Sequence, residues 1–184
     1  MISAEGHDVV DLRSAGILET AGEGDLEASA TFEENALAKA RYFARISGMP
    51  ALADDSGLMV EALGGAPGVM SKRWSGRQDL SGQALDDENN RLLLARLSGL
   101  ENRVARYVCA AAYCGDDREQ VARGETEGFI TDAPSGSGGF GYDPYFMSAE
   151  LGRTFGSVSM EQKALVSHRA RAFAKLLRLI AQQR

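Results

Sequence analysis

The sequence predicts an α/β domain with a long mixed β-sheet flanked by helices. Three observations carry that prediction. Short strand-like apolar stretches alternate with helical ones, the helices open on capping residues, and glycine clusters punctuate the joins. The chain has 184 residues, 44% of them hydrophobic, enough for one domain with a substantial core that needs no disulfides. A single domain over residues 1–184 is expected, with no internal repeat or low-complexity tract.

In chain order, Asp8-Val9-Val10-Asp11-Leu12 is strand-like, and the first clear helix runs from Phe32 to Ser47. Thr31 followed by Glu34 sets up a capping box, and Gly48 and Pro50 stop the helix. Phe32, Ala36, Phe43 and Ile46 supply its apolar stripe, while Asn35 and Lys39, four apart, share another face. Ala51 to Ala53 reads as a short strand ending in Asp54-Asp55-Ser56-Gly57. Leu85 to Leu97 reads as a helix, with Asp86-Asp87-Glu88 as a solvated, dipole-favouring first turn. Val104 to Tyr113 and Gln120 to Ile130 are strand-rich, separated by the turn-like Gly115-Asp116-Asp117. A closing helical stretch spans about Met160 to Gln183, opened by a Ser159–Gln162 capping box, with Ala172, Leu176, Leu179 and Ile180 facing the core.

Composition narrows the function. A net charge of −6 argues against a nucleic-acid polymer as partner, yet leaves room for a local basic cluster that holds phosphates. Two histidines exclude a His-rich zinc site, and Cys109 and Cys114 lie in an apolar run where thiols are buried and inert. No stretch approaches the ~20 apolar residues of a membrane span, and Met1 to Val10 carries no export signal, so a cytoplasmic protein is expected.

Three constellations can carry chemistry. Asp54-Asp55-Ser56-Gly57 puts two carboxylates at a strand end, where one can face a cleft, hold Mg²⁺ and orient or deprotonate water; the alternative is an Asx-turn with solvated acids. In Gly138-Gly139-Phe140-Gly141-Tyr142-Asp143-Pro144 the glycines allow close approach to a ligand and the two aromatics can grip a flat base; the alternative is a hairpin with both rings in the core. Lys163 and Ser167-His168-Arg169 gather three donors near a helix start, suited to a base carbonyl or phosphate, or else to ordinary surface charge. Trp74, between Arg73 and Ser75, reads as a packed ring, not a nucleic-acid platform.

Taken in order, these stretches resemble the inosine/xanthosine triphosphate pyrophosphatase family. The resemblance runs through Thr31-Phe32-Glu33-Glu34-Asn35-Ala36 with Lys39, Leu52-Ala53-Asp54-Asp55-Ser56-Gly57-Leu58, Ala62-Leu63-Gly64-Gly65-Ala66-Pro67-Gly68, Gly138 to Pro144, and Lys163 with Ser167-His168-Arg169. It implies a two-lobed fold with a deep groove, a homodimer, and Mg²⁺-dependent hydrolysis of ITP, dITP or XTP to monophosphate and pyrophosphate. By position it implies Asp55 as metal ligand and general base and Glu27 as the second metal ligand. Lys39 would bind the triphosphate and Ser56 would line the site. Phe140, Gly141 and Tyr142 would hold the purine with Asp143 nearby, and Lys163, His168 and Arg169 would read the base.

Two departures from the family pattern bear on activity. The usual opening strand and Thr/Ser-x-Asn-x-x-Lys phosphate loop have no counterpart before Thr31, so the expectation is either a true start upstream of Met1 or a protein lacking a central strand and part of its phosphate site. The acidic pair common before the Thr-Phe is here Leu26-Glu27, with Asp25 beside it. The competing expectations are therefore a non-catalytic nucleotide-binding or dimerisation module, and a metal phosphohydrolase that releases inorganic phosphate.

Overall fold

The structure, a computed structural model, describes residues 9–17, 26–115 and 117–182. Met1 to Asp8, Asp25, Asp116 and Gln183 lie outside the described residues. Nine elements follow in order: α1 (Phe32–Ser47), β1 (Ala51–Val60), α2 (Gly82–Leu97), β2 (Val104–Gly115), β3 (Arg118–Ile130), β4 (Phe146–Ser148), β5 (Arg153–Thr154), α3 (Met160–Val166) and α4 (His168–Ala181). Short 3₁₀ segments join them at Glu61–Leu63, Gly68–Arg73 and Phe155–Ser157.

The class is α/β as the sequence predicts, but every described strand pair is antiparallel and the order is β1-β2-β3-β4-β5. A mixed sheet would need a parallel neighbour; α2, the one long helix between strands of this sheet, instead returns the chain to an antiparallel partner of β1. The strand-like residues from Val9 onward form a turn at Leu12–Gly16 and pair with no strand. Thus β1, whose one strand neighbour among the described residues is β2, is an edge of the described sheet.

α1 has the predicted limits. Thr31 Oγ1 accepts from Glu34 N, half of the expected capping box, and Gly48 closes the helix in the left-handed region at φ 66°. Its buried face is Phe32, Asn35, Ala36 and Ala40, whereas Ile46 is exposed. Phe32 and Ala36 keep to the expected stripe, while Asn35 and Ala40 complete it in place of Phe43 and Ile46, because a buried asparagine has no apolar signature. α2 starts at Gly82, ahead of its leucines, so Asp86 sits in its second turn. The closing helix is two: Ser167 is extended (φ −70°, ψ 142°) and its Oγ accepts from Ala170 N, which starts α4 afresh at His168.

Packing divides along the length of the sheet. At one end α1 covers Val108, Ala110 and Ala112 on one face, and α4 covers Cys109, Ala111 and Tyr113 on the other. Alanines in β2 and Gly124 in β3 let the helices come close; a Cβ on Gly124 would strike His168 O and Ala172 N. At the other end Leu58, Val60, Tyr107 and Ile130 pack with Leu93 and Leu97 of α2 and with Phe146 and Phe155. The junction of these two cores falls at Asp54–Gly57. Among the described residues no helix is long and apolar enough to cross a membrane.

Candidate active site

Asp54-Asp55-Ser56-Gly57 lies inside β1 and not in a loop after it. The strand continues to Val60 because Gly57 can pass beneath the Gly68–Arg73 turn, where a Cβ would collide with Gly68 O and Ser71 Oγ. Ser71 fastens the crossing: its Oγ accepts from Leu58 N at 2.8 Å and donates to Gly68 O at 2.6 Å. The Asx-turn alternative is therefore overturned, since both acids lie within a continuous strand whose residues pair with β2.

Strand alternation sends these side chains to both faces. Asp55 points towards α1, where Asn35 Nδ2 donates to its Oδ2 and Lys39 Nζ to its Oδ1, both at 3.0 Å. Asn35 and Lys39 are neighbours on one helical face, as their spacing predicts. Asn35 Oδ1 also accepts from Ser29 N at 2.9 Å, which anchors the segment that carries Glu27. Asp54 and Ser56 point towards α4, where Arg169 bridges them: Nε donates to Asp54 Oδ2 at 3.0 Å and Nη2 to Ser56 Oγ at 3.1 Å. Because β1 is the edge of the described sheet, the groups on its two faces can meet around its rim.

Lys39 Nζ lies 2.6 Å from Glu27 Oε1, 3.0 Å from Asp55 Oδ1 and 3.0 Å from Asp54 O. Arg73 Nη1 holds the other Glu27 oxygen at 2.8 Å. Burial works against the Glu27 charge, but hydrogen bonds from Lys39 and Arg73 outweigh it and lower its pKa. Burial likewise opposes the Lys39 charge, and Glu27 and Asp55 raise its pKa on balance. Three oxygens thus converge on one cationic point. Among the described residues no group of three or more His, Cys, Asp or Glu gathers as a metal cage. Two carboxylates and a carbonyl nevertheless suit Mg²⁺, a hard cation commonly held by one or two carboxylates with water and phosphate completing its shell.

The glycine loop faces this wall. Phe140 is 61% exposed, whereas Tyr142 is 4% exposed and its hydroxyl donates to Ser71 O at 2.8 Å. Both rings line the cavity, but Phe140 is the exposed one and Tyr142 is buried. Asp143 holds the loop. Its Oδ1 accepts from Tyr107 Oη at 3.2 Å, and its Oδ2 from Phe140 N at 3.0 Å and Lys163 Nζ at 2.5 Å. Gly139, at φ 76°, is required there, because a Cβ would collide with the Asp143 carboxylate. Lys163 is buried and sits 4.8 Å from the Phe140 ring centroid, so it braces the loop more than it offers a free charge.

His168 stacks on Tyr107 with ring centroids 4.8 Å apart and planes at 10°. Burial, then the nearby Arg169 and Lys163 charges, push its pKa down to about 3, so its ring is neutral. Its Nδ1 is buried with no hydrogen-bond partner. Cys109, opposite Ser56 in the ladder, is buried with its thiol pKa raised by burial first and Asp54 next, an inert group as expected.

Every site residue named from sequence lines one cavity of about 380 Å³: Glu27, Lys39, Asp55 and Ser56 on the acid side, Phe140 to Asp143 on the loop side, and Lys163, His168 and Arg169 between. Sequence reasoning missed Asp86, Asn89, Lys72 and Tyr107 in that lining. The sequence makes Asp86 a solvated helix-dipole residue; in the structure it accepts from Gly141 N at 2.7 Å. The i, i+4 spacing of Asp86 and Asn90 was the available signal.

Comparison with known proteins gives an independent result. The Ham1 family profile matches residues 1–179. The chain is similar to the dITP/XTP pyrophosphatase of Ralstonia nicotianae, with 47% identity over 169 residues, 87% of this chain and 83% of that protein. Its structure is similar to the Ham1 protein of Staphylococcus aureus, with a TM-score of 0.78 and 37% identity, covering 86% of this chain and 80% of that one. It is also similar to a nucleoside-triphosphatase / dITP/XTP pyrophosphatase from Mycobacterium abscessus, with a TM-score of 0.68 and 42% identity, covering 89% and 79%.

Proposed function

Because this chain belongs to the Ham1 family, we propose that it hydrolyses non-standard purine nucleoside triphosphates (dITP, XTP and ITP) to the monophosphate and pyrophosphate. One observation supports this reading above the rest: a convergent carboxylate pair and an exposed aromatic ring line the same cavity, of a size suited to a nucleotide.

The proposed roles follow from the geometry. Glu27 and Asp55 would hold Mg²⁺, which when bound neutralises phosphate charge and acidifies water. Asp55 accepts the proton of the attacking water while the α–β phosphoanhydride bond breaks. Lys39, already centred between the two acids, is within reach of the triphosphate charge that would replace them as its partner. Phe140 stacks on the purine. Arg169 and His168 supply donors towards the 6-oxo group, where an amino group would leave them unpaired; such unpaired buried donors discriminate strongly. Ser56, tied to Arg169, keeps that guanidinium in place. The same reading takes the working unit to be a homodimer in the cytoplasm.

The test is product identity. Pyrophosphate should be released from dITP, XTP and ITP in the presence of Mg²⁺, with little release from ATP, whose 6-amino group leaves those donors unpaired. Equal turnover of all four refutes the base selectivity. Inorganic phosphate as the product refutes the pyrophosphatase, and dITP binding without turnover favours a nucleotide-binding module.

A further inference from the structure

Phe140 poses a physical problem. It is the exposed ring of the cleft, so core packing does not hold it, and it sits between two glycines in the left-handed region, Gly139 at φ 76° and Gly141 at φ 61°. A mobile ring would lose ordering entropy each time it gripped a ligand. Something other than its own side chain must fix its direction.

Two side chains of α2 do so from more than fifty positions away in sequence. Asp86 Oδ2 accepts from Gly141 N at 2.7 Å, and Asn90 Nδ2 donates to Gly141 O at 2.9 Å. The backbone N–H and C=O of the residue after Phe140 are both taken. The two clamp residues are four apart on one helical face, and Asn90 Nδ2 also donates to Asp86 O at 2.9 Å, which locks its amide in orientation. Asn90 is buried, and Asp86 lines the cavity itself. On the other side of the ring, Asp143 accepts from Phe140 N. The loop is thus pinned at consecutive backbone groups while its aromatic side chain stays free to meet a ligand.

We propose that Asp86 and Asn90 are positioning residues for base recognition, holding the Gly141 backbone so that the Phe140 ring is preset against a purine. This rests on the reading of the cleft as a purine nucleotide site. The clamp acts on binding of the base and not on proton transfer, because both residues work through Phe140 and neither touches the acid pair. Loss of either should raise KM and leave kcat nearly unchanged. It should also erode the preference for dITP over ATP, since a loosened ring no longer fixes which base edge faces Arg169 and His168.

The experiment is a double-mutant cycle on steady-state kinetics with dITP, using Asp86→Ala, Asn90→Ala, Phe140→Ala and the two combinations with Phe140→Ala. Asp86→Ala and Asn90→Ala should each raise KM about tenfold with kcat within about threefold, as expected for lost hydrogen bonds that act on binding alone. Asp86→Asn keeps an acceptor oxygen for Gly141 N and should recover KM to within about threefold of the parent. In the Phe140→Ala background either alanine should change KM less than about twofold, because the ring they hold is gone. Additive effects would overturn the proposal by making Asp86 a direct ligand contact, and so would a fall in kcat at unchanged KM. If Asp86→Ala fails to fold, Asn90→Ala carries the same cycle. If Phe140→Ala alone leaves KM unchanged, the stacking role falls and this inference with it. If Phe140→Ala raises KM while the clamp variants add to it, only the inference falls.

Discussion

The two walls of the cleft are held in different ways. The acid wall rides on β1, which is paired residue by residue with β2, and alternation alone sends Asp55 to one face and Asp54 and Ser56 to the other. Its side chains are then neutralised locally: Lys39 and Asn35 on Asp55, Arg169 on Asp54, Arg73 on Glu27. The loop wall has no ladder. Its shape comes from glycines and from side chains of remote elements, Asp86 and Asn90 on one side and the Asp143–Lys163 pair on the other. A strand places charge with little adjustment, while a pinned loop places an aromatic surface that the core would otherwise absorb, as it has absorbed Tyr142. Chemistry and triphosphate binding should therefore fail when the acid wall is cut, and base recognition when the loop is cut.

The sharpest break is Asp55→Asn. It removes the proton acceptor and one metal oxygen together, so kcat for dITP should fall by about 10³-fold or more while the fold is kept, as checked by pyrophosphate release and circular dichroism. An unchanged KM would keep the two walls separate in function. Next is Lys39→Met. It strips the cation from between Glu27 and Asp55, so KM for dITP should rise by roughly 10- to 100-fold. The same change should tighten Mn²⁺ binding in the absence of nucleotide, read by electron paramagnetic resonance, because the ammonium no longer occupies the point where the oxygens converge.

Phe140→Ala tests the other wall. Stacking of a base on an aromatic ring is worth about 1–3 kcal/mol, so KM should rise by about tenfold while Mn²⁺ affinity stays put. A change in Mn²⁺ affinity would mean the walls are not independent.

The last effect is on stability. His168 is held neutral, its pKa pushed from 6.5 to about 3 chiefly by burial. The unfolded chain takes up a proton that the folded one refuses, so this contribution is complete above pH 6.5 and is lost as pH falls towards 3. Between pH 6.5 and pH 5 it should cost about 2 kcal/mol of unfolding free energy. His168→Gln should flatten that part of the urea-denaturation profile relative to the parent chain.

The contrast between the walls also sets what the sequence made legible. The limits of α1, the two long strands with the turn between them and the Ser159 capping box were readable, because helix caps and strand-rich runs are local signals. Asn35 and Lys39 could be placed on one face from spacing alone. The length of β1 was not readable. Asp-Asp-Ser-Gly has the composition of a turn, and only the Gly68–Arg73 crossing explains why a strand passes through it. The break at Ser167 was hidden because the apolar period carries on across it, yet that break starts α4 at His168 and Arg169. Nor could sequence say which of Phe140 and Tyr142 stays free, since that depends on the distant acceptor Ser71 O and on the Asp86–Asn90 clamp.

The most direct test of the account is a crystal structure of the chain with Mn²⁺ and an α,β-imido analogue of dITP, which resists cleavage of the scissile link. Anomalous scattering should place manganese in contact with Glu27 and Asp55, with the hypoxanthine ring against Phe140 and its oxygen towards Arg169 and His168. Manganese bound away from that acid pair, or a base lying anywhere but on the Phe140 loop, would contradict it.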